Sequence, residues 1–140
     1  MSHLVLIYGT LKQFPEHRNF EEYLSTSNYL GEVVTKHGYT MLDFNSVSNP
    51  GKYSPGVVTD TRYRPTFPIY GELYEVNDDT IARLDKLEQV GINYDRDLVE
   101  IQSGQTVSMY LKRCNHGGSA NSRRIIKKNN ASSWHDPMPK

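Results

Sequence analysis

The chain has 140 residues, 36% of them apolar, which is enough for one domain with a real core. Its 16 basic and 16 acidic residues cancel, so bulk charge points to neither a nucleic-acid nor a membrane partner. A single cysteine, Cys114, excludes an intrachain disulfide and a cysteine-rich zinc site, and suits a reducing, cytoplasmic setting.

In chain order, residues 3–8, with the apolar run LVLIY, read as a buried strand that stops at a Gly9-Thr10 turn. The run is too short for a signal-peptide core or a membrane span. A polar loop follows from Lys12, then RNFEEYLS with Phe20, Tyr23 and Leu24 at helical spacing. From Tyr29 to Phe44 the pattern is strand-like and broken at Lys36-His37-Gly38, giving two strands and a turn. Residues 45–68, rich in Asn, Pro, Gly and Ser, read as mostly irregular, with a short strand at Gly56–Thr59. PIYGELYEV (68–76) is a strand. NDDTIARLDKLEQ is a helix with Asn77 as N-cap and Asp78 and Asp79 in its first turn, where the helix dipole favours acids.

A hairpin spans 96–112, turning at QSGQ, with Val107, Met109 and Leu111 on one face and Thr106, Ser108 and Tyr110 on the other. The basic, polar tail 115–140 reads as loosely ordered or packing near a site beside the first 114 residues. Its basic cluster, counted from Lys112 and Arg113 through Arg123, Arg124, Lys127 and Lys128, reads as solvated because no nucleic-acid motif surrounds it. His116 and His135 show no metal-ligand spacing, and Cys114 has no base beside it to make it a nucleophile. No metal site or cofactor is expected. Strands outnumber helices, so an α+β fold follows: a small antiparallel or mixed sheet, open or curled into a barrel, with flanking helices.

One residue breaks the helical pattern. Ile81, Leu84 and Glu88 fall at i, i+3 and i+7, so at about 100° per residue the apolar face ends in a carboxylate. Two readings stand open: a frayed last turn or a pair with Arg96, against a desolvated carboxyl raised into the range of a general base. Asp85, one turn earlier, reads as a second acid or a local pairing partner.

Taken together, Tyr8-Gly9-Thr10-Leu11 at a strand end, the strand Gly71 to Val76, Leu84-Asp85 to Glu88, and Tyr94-Asp95-Arg96 make the chain resemble the gamma-glutamylcyclotransferase-like superfamily. Within it the chain is most similar to the gamma-glutamylamine cyclotransferase and AIG2-like group, over roughly residues 3–112. The ending IIKKNNASSWHD is loosely similar to the I-x-x-G-D-W of bacterial relatives, with Trp134 at the tryptophan and Ser132 and Ser133 replacing the glycine and aspartate.

The resemblance implies a small mixed barrel with a cavity beside the first strand. It also implies conversion of an L-gamma-glutamyl amine, such as gamma-glutamyl-lysine, into 5-oxoproline and free amine. Glu88 maps to the catalytic acid/base, and Tyr8, Gly9, Thr10 and Leu11 map to the substrate-cradling turn. Tyr94 and Tyr110 are expected beside the substrate. The substrate's own α-amine closes the ring, so the enzyme's tasks are deprotonation, folding of the substrate and charge stabilisation. A non-enzymatic ligand-binding or interaction module of the same fold is the alternative. The leaving amine and the oligomeric state are not legible.

Overall fold

LVLIY is apolar at every position because its strand is covered on both faces. In the computed structural model, which describes residues 2–9, 23–45, 53–59, 66–113, 118–119, 125–128 and 130–134, the strands are β1 (Ser2–Ile7), β2 (Asn28–Val34), β3 (Thr40–Asn45), β4 (Tyr53–Val58), β5 (Tyr70–Asn77), β6 (Tyr94–Glu100), β7 (Thr106–Lys112), β8 (Gly118–Ser119), β9 (Ile125–Lys128) and β10 (Ala131–Trp134), with one helix, α1 (Asp78–Leu87), between β5 and β6. β1 lies at the centre of a five-stranded sheet ordered β2-β5-β1-β7-β6. It pairs antiparallel with β5 and parallel with β7.

Side-chain alternation along β1 sorts the core into two layers. Val5 and Ile7 pack with Tyr74, Val76, Ile81, Leu84, Tyr94 and Tyr110 on the α1 side. Leu6 and Tyr8 pack with Leu73, Val107, Met109 and Leu111 on the other side, joined by Met41, Val57 and Trp134 from the smaller sheets. The alternation expected of β7 is therefore the one observed.

α1 begins where its sequence indicates: Asn77 is extended, and its side chain accepts from the Thr80 N–H at 2.8 Å. The helix expected over RNFEEYLS falls mostly outside the described residues; at its end Tyr23 and Leu24 form a short π-helical turn, and α1 is the one α-helix among the described residues. The expected irregular stretch after residue 45 holds a longer strand than anticipated, β4, which begins at Tyr53 and contains Pro55. β4 is the edge of a three-stranded sheet ordered β4-β3-β8, a position where a missing N–H is tolerated.

Two further expectations are corrected. The large sheet does not close into a barrel among the described residues: its edges, β2 and β6, meet only at one end, through the Thr35–Ile101 bridge. There the Lys36 N–H donates to Glu100 O at 2.8 Å and the Gln102 N–H to Val34 O at 2.9 Å. Away from that bridge, β2 bends at an irregularity between Tyr29 and Gly31, and β6 exposes Asp95, Arg96 and Asp97, a charged edge that resists pairing.

The tail is not loose either, where it is described. β9 and β10 pair, and all four residues of β10 are buried. Trp134 is fully enclosed, its indole N–H donating to Asp43 Oδ1 at 2.9 Å. That bond gives the indole the polar partner a buried tryptophan needs.

Candidate functional site

The candidate site lies where the C-terminal half of α1, packed on β5 and β1, reaches β6 and β7 through Asp85. In the β6–β7 register Tyr94 pairs with Lys112, and Arg96 pairs with Tyr110. Residues two apart in a strand share a face, so all four side chains belong to the face that α1 covers. α1 brings Asp85 and, three residues on, Glu88 to the same side, one helical turn apart.

Asp85 closes the first of these two rungs. It takes both arms of Arg96, Nε at 2.8 Å and Nη2 at 3.1 Å, and accepts from the Tyr110 hydroxyl at 2.8 Å. This answers the open question about Arg96: its partner is Asp85, and Glu88 is left for other work.

Glu88 stands one turn further along, near enough to Tyr94 and Lys112 for their charges to act on one another. It is the C-cap of α1, its N–H bonded to Leu84 O, so the turn is formed and not frayed. As a residue it is half-buried, yet its carboxyl is desolvated enough to be pushed up from an ordinary 4.5 to about 7. Burial dominates, and the nearby Lys112 ammonium pulls weakly the other way. The Glu88 charge in turn helps raise the phenols of Tyr8, Tyr94 and Tyr110, each already raised by burial.

Lys112 is held by aromatic faces. Its Nζ lies 4.9 Å from the Tyr94 ring centroid and 5.1 Å from that of Phe44. Its stem crosses β4 at Gly56, where a Cβ would come within 2.7 Å of Phe44 Cε2 and 2.9 Å of Lys112 Cβ. Sequence reasoning assigned Lys112 to a solvated basic cluster. Its alternation with Tyr110 along the strand was the available signal, and it was missed.

The tyrosines are builders of the site. The Tyr8 hydroxyl donates to Tyr110 O at 2.7 Å and accepts from the Val57 N–H at 3.2 Å, tying β1's end to β7 and β4. Tyr94 donates to Pro55 O at 2.9 Å. With Tyr110 given to Asp85, each of the three phenols has spent its one proton on protein, so none remains as a donor. Gly9 adjoins Pro55: a Cβ there would meet Pro55 Cγ at 2.6 Å, so the glycine makes room for β4.

Thr10 and Leu11, the rest of the expected turn, lie outside the described residues, as do Cys114, His116, Arg123, Arg124 and His135. Among the described residues no three His, Cys, Asp or Glu side chains converge as a metal would require, and no helix is long and apolar enough to cross a membrane. A separate cavity of about 440 Å³, lined by residues including Glu32, Leu73, Ile101 and Gln105, shares none of the residues around Glu88.

Fold and site together describe a small α+β protein built around one carboxyl that titrates near neutrality. The chain belongs to the AIG2-like gamma-glutamyl cyclotransferase family, whose pattern matches residues 5–135. A Vibrio cholerae protein provisionally named gamma-glutamylcyclotransferase is 35% identical over 116 residues, covering 83% of this chain and 87% of that one. A similarly named protein of Methanocaldococcus jannaschii is 33% identical over 109 residues, 76% of this chain and 80% of that one. A mouse AIG2-like protein of known structure superposes with a TM-score of 0.59 at 20% identity, over 81% of this chain and 77% of that one. That last likeness is one of fold.

Proposed function

We propose that this protein is a cyclotransferase that converts an L-gamma-glutamyl amine, gamma-glutamyl-lysine among them, into 5-oxoproline and the free amine. Glu88 is its general acid/base. The observation that carries the reading is the desolvated Glu88 carboxyl, at about 7, on the turn of α1 that follows the Asp85–Arg96 pair. Such a carboxyl is half ionised at neutral pH, which suits a group that must both accept and return a proton.

The reaction needs no enzyme nucleophile. The substrate's α-ammonium gives a proton to Glu88, and the freed amine attacks the γ-carbonyl carbon. A new C–N bond closes the five-membered ring as the carbonyl electrons move to oxygen. When the intermediate collapses, the bond to the leaving amine breaks, Glu88 returns the proton to that nitrogen, and the ring nitrogen gives up its second proton to the departing amine, which leaves as an ammonium. The phenols of Tyr8, Tyr94 and Tyr110 wall the site and fix its strands. Donors to the oxyanion are then left to the backbone N–H groups of the Tyr8–Leu11 turn.

The test is to incubate the protein with Nε-(L-gamma-glutamyl)-L-lysine and a panel of other gamma-glutamyl amides and to assay 5-oxoproline. No product across the panel would sink the enzymatic reading. Where product forms, Glu88→Gln should remove it while the protein stays folded.

A further inference from the structure

The two rungs between α1 and the β6–β7 face are built alike but finished differently. On the first, Asp85 faces Arg96 and Tyr110 and the charges meet in a two-armed ion pair. On the second, Tyr94 and Lys112 are paired across β6 and β7 and Glu88, one turn after Asp85, lies near enough to both for their charges to act on one another. Here no carboxylate lies within ion-pair distance of Lys112 Nζ among the described residues. The ammonium is instead held by the rings of Tyr94 and Phe44, neither of which neutralises it. Lys112 is a half-buried cation with its charge uncompensated by a carboxylate and an acid nearby, which leaves its ammonium able to take an anion from a ligand.

The chemistry of the proposed substrate fits this gap. The α-carbon of a gamma-glutamyl compound carries an ammonium and a carboxylate side by side, opposite charges on neighbouring atoms. We propose that the Glu88–Lys112 rung is the recognition site for that zwitterion: Glu88 takes the α-ammonium and Lys112 takes the α-carboxylate. Lys112 is thus a specificity-determining residue, and the bound head group completes on the second rung the charge pairing that Asp85 and Arg96 complete on the first. Because Lys112 is fixed by the register of β6 and β7 and by the rings beside it, it orients the α-amine toward Glu88 at little entropic cost.

This inference rests on the cyclotransferase reading, and the experiment separates the two. Wild type, Lys112→Met and Lys112→Arg are assayed on Nε-(L-gamma-glutamyl)-L-lysine and on its analogue in which the glutamyl α-carboxylate is a neutral carboxamide. The analogue's altered amine acidity is common to all three proteins, so it cancels when their preferences are compared. Wild type should prefer the carboxylate substrate. Lys112→Met should erase about 10- to 100-fold of that preference, the scale of a charge-assisted contact, through kcat/KM for the carboxylate substrate. Lys112→Arg should keep most of it.

An equal loss on both substrates, in a variant with an unchanged thermal transition, would make Lys112 a structural residue and overturn the inference alone. If Lys112→Met fails to fold, Lys112→Arg decides: loss of the preference with the charge retained also overturns it. Absence of product from wild type on the whole panel overturns the cyclotransferase reading and this inference with it.

Discussion

Replacing Glu88 by glutamine should remove activity and make the protein more stable, but only at high pH. The carboxyl climbs from 4.5 in an exposed chain to about 7 in the fold. At about 1.36 kcal/mol per pH unit, keeping it ionised costs the folded state about 3 kcal/mol. The sign follows from proton binding. Between 4.5 and 7 the folded protein holds a proton that the unfolded chain has released, so stability falls as pH rises through this window. Below it Glu88 is neutral in both states, and glutamine offers no advantage. Above it the full cost is present, and Glu88→Gln should raise the thermal transition by roughly 10 °C for a chain of this size. Melting curves of both proteins from pH 4 to 9 read this directly. Parallel curves, or a variant less stable than wild type at pH 8, would refute the desolvated carboxyl and with it the choice of Glu88 as base.

The same carboxyl sets the acid limb of the rate profile, so kcat should rise with pH through about 7. In Lys112→Met that limb should move to higher pH, because the cation opposing the rise is gone. Tyr110→Phe should cost about 1–2 kcal/mol in urea denaturation by removing the 2.8 Å bond to Asp85, while the Asp85–Arg96 pair survives. Gly56→Ala should lower the melting temperature and weaken substrate binding, since its Cβ would come within 2.7 Å of Phe44 and 2.9 Å of Lys112. Trp134→Ala should cost about 3–5 kcal/mol. A chain ending at residue 114 should fail to give a cooperative transition, as the buried Asp43 would lose its indole partner and the core its largest buried side chain.

Elements with strong local patterning were legible from sequence. α1 carries its cap, its acidic first turn and its apolar stripe within a dozen residues, and the β6–β7 hairpin carries both alternation and turn. What was not legible depended on distant partners. β4 looked irregular because Pro55 and Gly56 are poor strand residues; they are accepted there by an edge position and by the close approach of Phe44 and Lys112. The tail looked solvated because its polar residues outnumber its apolar ones. Its burial comes from Trp134 reaching a core assembled by β3, β4 and β7. Barrel closure depends on two edge strands 60 residues apart in the chain, and their charges and bends are set against each other only in the fold.

The site was half legible, and the missing half was a matter of register. L-D-x-x-E and Y-x-R read as separate strings until α1 is laid across the sheet. Two intervening residues on a helix make one turn, and one on a strand keeps the same face, so Asp85 finds Arg96 as Glu88 comes opposite Tyr94. Seen this way, Glu88 breaks three local rules at once. It is an acid on an apolar helix face, and it stands at the C-cap, where the helix dipole disfavours negative charge and Lys86 follows the usual preference. Among the described residues it also has no cation within ion-pair distance, such as its neighbour Asp85 has. Each of these raises the cost of ionisation, and in the proposed reaction all are met by one event, the arrival of a positively charged amine that must be deprotonated. A residue selected for stability would have been leucine or lysine at this position. Local rules broken together at one carboxyl are what the proposed proton-transfer role would leave visible before a substrate is bound.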